Sequence, residues 1–127
     1  MGELATDPMV ANIIRHNPHR RAIDLAFLAR QTMGNKALES DILQLYRTQL
    51  RKFEPDWHKA KALPNLVINL HSMRSAALGV GAVSIAELSK AAEVDLRENG
   101  GHIADIYTQL AKTVAETLHF IDDILGH

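Results

Sequence analysis

Apolar residues recur at spacings of three and four along most of the chain, a pattern typical of amphipathic α-helices. The predicted helices span residues 24–32, 36–53, 65–78, 84–98 and 102–125, and a short helical segment is predicted at 56–62. The helix at 36–53 has a predicted stripe, mostly apolar, made of Leu38, Ile42, Leu45, Tyr46, Gln49, Leu50 and Phe53. The pattern therefore predicts an all-α protein.

Residues with special backbone preferences mark the ends of these helices. Asp24 is a candidate N-cap, and a chain break is expected near Leu63, just before Pro64. The glycines of segment 79–81 suit a helix stop and a tight corner. Ser84 and Glu87 have the spacing of a capping box, in which each side chain binds an unpaired backbone N–H of the other residue.

Short connections between long helices favour antiparallel neighbours. The sequence thus predicts an up-down-up-down antiparallel four-helix bundle, with an additional short N-terminal helix at 24–32 that covers one end. Residues 1–21 contain two prolines and a basic cluster, and are expected to form a flexible lead-in. The bundle domain is expected at 22–127.

Composition narrows the range of functions. The chain has 127 residues, no cysteine and a formal charge of −1, which argue against bulk affinity for nucleic acid and against thiol chemistry. Alanine (17 residues) and leucine (16 residues) favour helix over sheet. No apolar run is long enough to span a membrane, and the first residues do not have the pattern of a secretory signal. We therefore expect a cytoplasmic protein with neither nucleic acid nor membrane as a partner.

The segment around His71 carries the candidate chemistry. When Leu70 is placed at the centre of the buried face, Leu66, Met73 and Ala77 lie within about 60° of it. His71 then lies about 100° away, at the margin between core and solvent. A neutral imidazole at such a position is a nucleophile that a partner can reach.

The neighbours of His71 suit a phosphoryl group on its ring. Arg74, one turn further along the helix, could bind phosphoryl oxygens through charge-assisted hydrogen bonds. Ser75 is small and leaves room for a partner surface. Pro64, Ile68 and Leu78 lie on the same side and could form an apolar docking patch, although the helix at 24–32 could equally cover Ile68 and Leu78.

This segment resembles the signature of histidine-containing phosphotransfer (HPt) domains. That signature has His, a basic residue at +3, small residues from +4 through the next turn, and Gly-Ala at +10 and +11. The matching residues are His71, Arg74, Ser75, Ala76, Ala77, Gly81 and Ala82, and Leu88 and Glu93 also stand where the family usually has Leu and Glu. Arg74 replaces the more usual Lys, and Ser75 the more usual Gly.

The resemblance implies a phosphorelay function. His71 would accept a phosphoryl group from one receiver aspartate and pass it to another, with Arg74 as the residue beside the phosphate. Pro64, Ile68, Ser75 and Leu78 would contact the receiver. The expected partners are response-regulator receiver domains and a hybrid histidine kinase, and the chain is expected to be a monomer. It would bind no cofactor itself, because Mg²⁺ would come from the partner receiver, and the sequence has no ATP-binding loop.

Two other functions stay open at the level of sequence. A bundle of this kind could be a non-catalytic adaptor that binds receivers without carrying phosphate. It could also bind a metal, since Glu116 and His119 have a Glu-x-x-His spacing, although di-iron bundles use two such motifs. No metal site is predicted from this single motif.

Overall fold

The computed structural model describes residues 21–126, and the regular secondary structure in this range is entirely helical. The predicted all-α class is therefore confirmed. Except for Arg21, the predicted lead-in lies outside the described residues, as does His127. The described helices are α1 (Leu25–Gln31), α2 (Lys36–Leu50), α3 (Trp57–Ala60), α4 (Leu66–Val80), α5 (Val83–Glu98) and α6 (Ile103–Leu125).

Local side chains explain where α1 and α2 begin. Asp24 caps α1, its carboxylate accepting the backbone N–H of Phe27 at 3.0 Å, as predicted. Asn35 caps α2 in the same way, through the N–H of Leu38. The predicted break near Leu63 is also confirmed, since it lies between the end of α3 and the start of α4.

The corner between α4 and α5 differs from the prediction. Helix α4 continues through Gly79 and ends at Val80, and its C-cap is Gly81, whose φ of 85° is left-handed. Helix α5 then begins at Val83 with Ala82 at its N-cap, so Ser84 lies inside the first turn and the predicted capping box is wrong. The reason is that Ala82 already donates its N–H to Ala77, so that only two residues separate the helices.

The core lies between α2, α4, α5 and α6, where α5 packs against α4 and α6, and α2 packs against the same two helices. Fully buried apolar side chains fill it, among them Leu70, Ala77, Ile85, Leu88, Ile106, Leu110 and Ile121. The short α1 packs on α2 and is also joined to the α4–α5 corner, because the Asp24 N–H donates to the Gly81 carbonyl at 2.9 Å. None of the helices in residues 21–126 is both long and apolar enough to cross a membrane.

The inward face of α2 also differs from the prediction. Leu43, Tyr46 and Leu50 are buried, whereas Leu45 is 69% exposed and Leu38 is also exposed. Apolar residues occupy more than half of the circumference of α2, so their spacing alone allows several stripes. Packing against α4 and α6 selects the stripe that contains Leu43.

Candidate functional site

Helix α4 places His71 at the boundary that the helical wheel predicts. Its neighbour Leu70 is buried in the core, while the His71 side chain is 53% exposed. The ring is therefore attached to a rigid, packed helix and is still reachable from solvent. This combination suits a nucleophile that must be held in position and yet meet another protein.

A buried carboxylate from the neighbouring helix lies beside this ring. Glu93 of α5 is only 5% exposed, and its Oε1 is 3.4 Å from Nδ1 of His71, which is a long hydrogen bond. Its Oε2 is 2.6 Å from Nη2 of Arg97, one turn further along α5. Because a buried carboxylate is costly without partners, these two contacts explain how Glu93 is tolerated there.

The contact with Glu93 selects one form of the imidazole. A carboxylate can only accept a hydrogen bond, so His71 satisfies it when the proton is on Nδ1. The lone pair of the neutral ring is then on Nε2, the nitrogen that Glu93 does not contact. The two helices together therefore favour an exposed imidazole whose lone pair is on Nε2.

Arg74 supplies positive charge on the same helix. It follows His71 by three residues, is partly buried, and its Nε atom is buried without a hydrogen-bond partner among the described residues. Arg74 therefore places a positive charge one turn from His71 on the same helix.

The predicted docking residues all lie on exposed surface. Ile68 is 64% and Leu78 is 56% exposed, and Pro64 and Ser75 are exposed as well. The alternative that α1 covers Ile68 and Leu78 is therefore wrong. Together with His71, these residues form an exposed strip along α4, which we call the α4 strip.

Other residues singled out from the sequence do not join this site. Glu116 and His119 are exposed on α6, where His119 lies 3.8 Å from Asp123. Within residues 21–126, no group of three or more His, Asp or Glu side chains is placed to hold a metal ion. Away from this site, the first residue of α3, Trp57, packs against Tyr107, with ring centroids 5.1 Å apart.

The sequence pattern places Glu93 at a position of the signature that resembles HPt domains, but it predicts neither the contact of Glu93 with His71 nor a role for Arg97. The two ends of the His71–Glu93 contact are 22 residues apart on different helices. A signal was present all the same, since Glu93 and Arg97 have the i, i+4 spacing of a helical ion pair. Comparison with protein-family models, curated proteins and solved structures finds no match to this chain.

Proposed function

We propose that this protein is a histidine phosphotransfer protein of a multistep His–Asp phosphorelay, and that His71 accepts the phosphoryl group. The observation that carries the proposal is the half-exposed imidazole whose Nδ1 lies against the buried carboxylate of Glu93. An ordinary boundary histidine does not require such a partner. The Arg74 cation one turn away adds the charge that a phosphoryl group needs.

The proposed architecture is the up-down-up-down antiparallel four-helix bundle, formed by α2, α4, α5 and α6, with α1 as the covering helix. The pattern of contacts supports it, because each of these four helices packs against two of the others, in the cyclic order α2, α4, α5, α6. In such a bundle the α4 strip lies on the outside, where it can meet a partner of similar size.

The proposed reaction conserves atoms and charge. The Nε2 lone pair of His71 attacks the phosphorus of an aspartyl phosphate, the P–O bond to the aspartyl oxygen breaks, and the free carboxylate leaves. The ring keeps its Nδ1 proton, so the phosphorylated ring is cationic, and the Glu93 carboxylate stabilises that charge. Transfer to the next receiver aspartate is the reverse step.

Partner proteins complete the chemistry. Arg74 of this chain would bind the phosphoryl oxygens. The receiver domain would provide Mg²⁺ and the aspartate carboxylate that exchanges the phosphoryl group with His71. The α4 strip would dock the receiver, with Ile68 and Leu78 as apolar contacts on either side of Ser75. A hybrid histidine kinase would load the first receiver, and the protein would act as a cytoplasmic monomer.

Transfer from a phosphorylated receiver domain tests the proposal. We expect an acid-labile, alkali-stable label on the protein, and its loss in His71→Gln. His119→Gln is the matched control, because it removes an exposed histidine on α6 and should leave the label unchanged. Unchanged labelling of His71→Gln would refute the assignment. Receiver binding without any label on the unaltered protein would instead support the adaptor function.

A further inference from the structure

The carboxylate of Glu93 is shared between two basic side chains, His71 and Arg97. Its Oε1 lies 3.4 Å from Nδ1 of His71, whereas its Oε2 lies 2.6 Å from Nη2 of Arg97. The contact with Arg97 joins two charged groups at a short distance, and such hydrogen bonds are roughly twice as strong as neutral ones. Arg97 is therefore the partner that fixes the position of the carboxylate, and His71 meets the oxygen that is left.

Burial makes Glu93 depend on this partner. Its side chain is buried, so water can satisfy little of its charge. The contact with His71 is long for a hydrogen bond, and the ring is uncharged in its nucleophilic form. Without Arg97, the carboxylate would keep only that long contact among the described residues, which is costly for a desolvated charge. We expect such a carboxylate to turn towards solvent or to bind a proton.

Either change at Glu93 would alter the position of the proton on the His71 ring. A charged carboxylate accepts the N–H of Nδ1, which leaves the lone pair of the neutral ring on Nε2. A carboxylate that has turned away accepts nothing from Nδ1. A protonated carboxyl group can donate to Nδ1 instead, and the ring proton then lies on Nε2. In both cases, part of the population loses the lone pair on Nε2.

We propose that Arg97 is a positioning residue, which holds the Glu93 carboxylate so that Oε1 accepts the Nδ1 proton of His71 and the Nε2 lone pair stays free. The role of Arg97 in the reaction rests on the proposed function, since Nε2 is the atom that attacks phosphorus there. The position of the ring proton does not rest on it, because all three side chains belong to this chain and their contacts need no partner protein.

Nitrogen NMR shifts of the imidazole, measured on the full chain at about pH 8.5, where a free imidazole is neutral, locate the ring proton directly. In the unaltered protein, Nδ1 of His71 should have the shift of a protonated ring nitrogen. In Arg97→Gln, the ratio of the Nδ1–H form to the Nε2–H form should fall about fivefold, as expected for the loss of one hydrogen bond. Lys112→Gln removes the same charge from an exposed position of α6 and should leave the ratio unchanged. Equal ratios in the two variants would overturn the proposal.

Two further variants separate positioning from a general effect on structure. Arg97→Lys keeps the charge at the i, i+4 spacing from Glu93 and should restore most of the ratio. In a Glu93→Gln background, Arg97→Gln should change the ratio no further, because its effect passes through the carboxylate. A further fall in that background, or no restoration by lysine, would show that Arg97 does not act through Glu93.

Transfer from a labelled receiver distinguishes this inference from the proposed function. Arg97→Gln should slow labelling of His71 about threefold, less than Glu93→Gln does, because the carboxylate is displaced but not removed. Labelling at the unaltered rate, despite a shifted ratio, would refute the role of Arg97 in the reaction. A shifted ratio with no label on the unaltered protein would support the placement of the ring proton by Arg97 and refute the phosphotransfer function.

Discussion

Replacing Gly81 with alanine should destabilise the protein far more than the same change at Gly34. Both glycines have left-handed backbones, with φ of 85° at Gly81 and 75° at Gly34. A Cβ at Gly81 would lie 3.0 Å from the Phe27 ring and 3.1 Å from the Asp24 carbonyl oxygen, whereas a Cβ at Gly34 meets no atom within 4 Å. Comparing Gly81→Ala with Gly34→Ala therefore separates the cost of backbone strain, which both variants share, from the cost of steric contact, which only Gly81→Ala has.

The magnitudes follow from these two effects. A left-handed backbone costs a residue with a Cβ about 1–2 kcal/mol, and both variants share this cost. Only Gly81→Ala adds crowding, which typically costs about 1–3 kcal/mol, because the Asp24 carbonyl is backbone and is held in the α1 cap. We therefore expect a loss of about 2–5 kcal/mol for Gly81→Ala and about 1–2 kcal/mol for Gly34→Ala.

Urea and thermal unfolding, followed by far-UV circular dichroism, would measure the difference. For a domain of this size, each 1 kcal/mol lowers Tm by about 4 °C, so Gly81→Ala should melt about 4–12 °C below Gly34→Ala. Repeating both changes in a Phe27→Ala background should narrow the gap, since one of the two contacts is then removed. Equal destabilisation by the two changes would refute the steric reasoning.

Three further perturbations test the site, the core and a helix start. Glu93→Gln should slow labelling of the proposed phosphohistidine about tenfold without unfolding the protein, because a charge-assisted contact is lost. Glu98→Gln, an exposed change on the same helix, should have no effect, and equal rates in both variants would contradict the role of Glu93. Burial raises the pKa of Tyr107 to about 12 and that of Tyr46 further still, so the folded state keeps tyrosyl protons that the unfolded state loses near pH 10. Stability should therefore be complete below about pH 10 and decline as the pH rises towards 12, and a tyrosine absorbance step near pH 10 in folded protein would contradict this. The Asp95 carboxylate accepts the backbone N–H of His102, the residue just before α6, at 3.0 Å. Asp95→Ala should therefore lower the free energy of unfolding by about 1 kcal/mol in a urea titration. An unchanged midpoint would exclude a role of Asp95 in capping α6.

Much of the fold could be predicted because its causes are local. The break near Leu63 depends on one proline and the cap of α1 on one aspartate, so a short stretch of sequence contains the whole signal. The predicted capping box is wrong because the start of α5 depends on where the preceding helix ends, and not only on the spacing of Ser84 and Glu87. Ser84 and Glu87 have the right spacing, but α4 turns sharply at the left-handed Gly81, and Ala82, the next residue, is already the N-cap of α5, so the helix begins before Ser84.

By itself, the sequence determined the helices, the position of His71 at the margin of a buried face, and a signature that resembles one family. These depend on residues within a few turns of each other. Only the tertiary structure decided which stripe of α2 is buried and which residue meets the imidazole. The pairing of His71 with Glu93 requires α4 to pack on α5 in one register, and the burial of Tyr46 depends on what α2 meets. Such contacts join distant parts of the chain, and helical periodicity carries no information about the partner that a face will find.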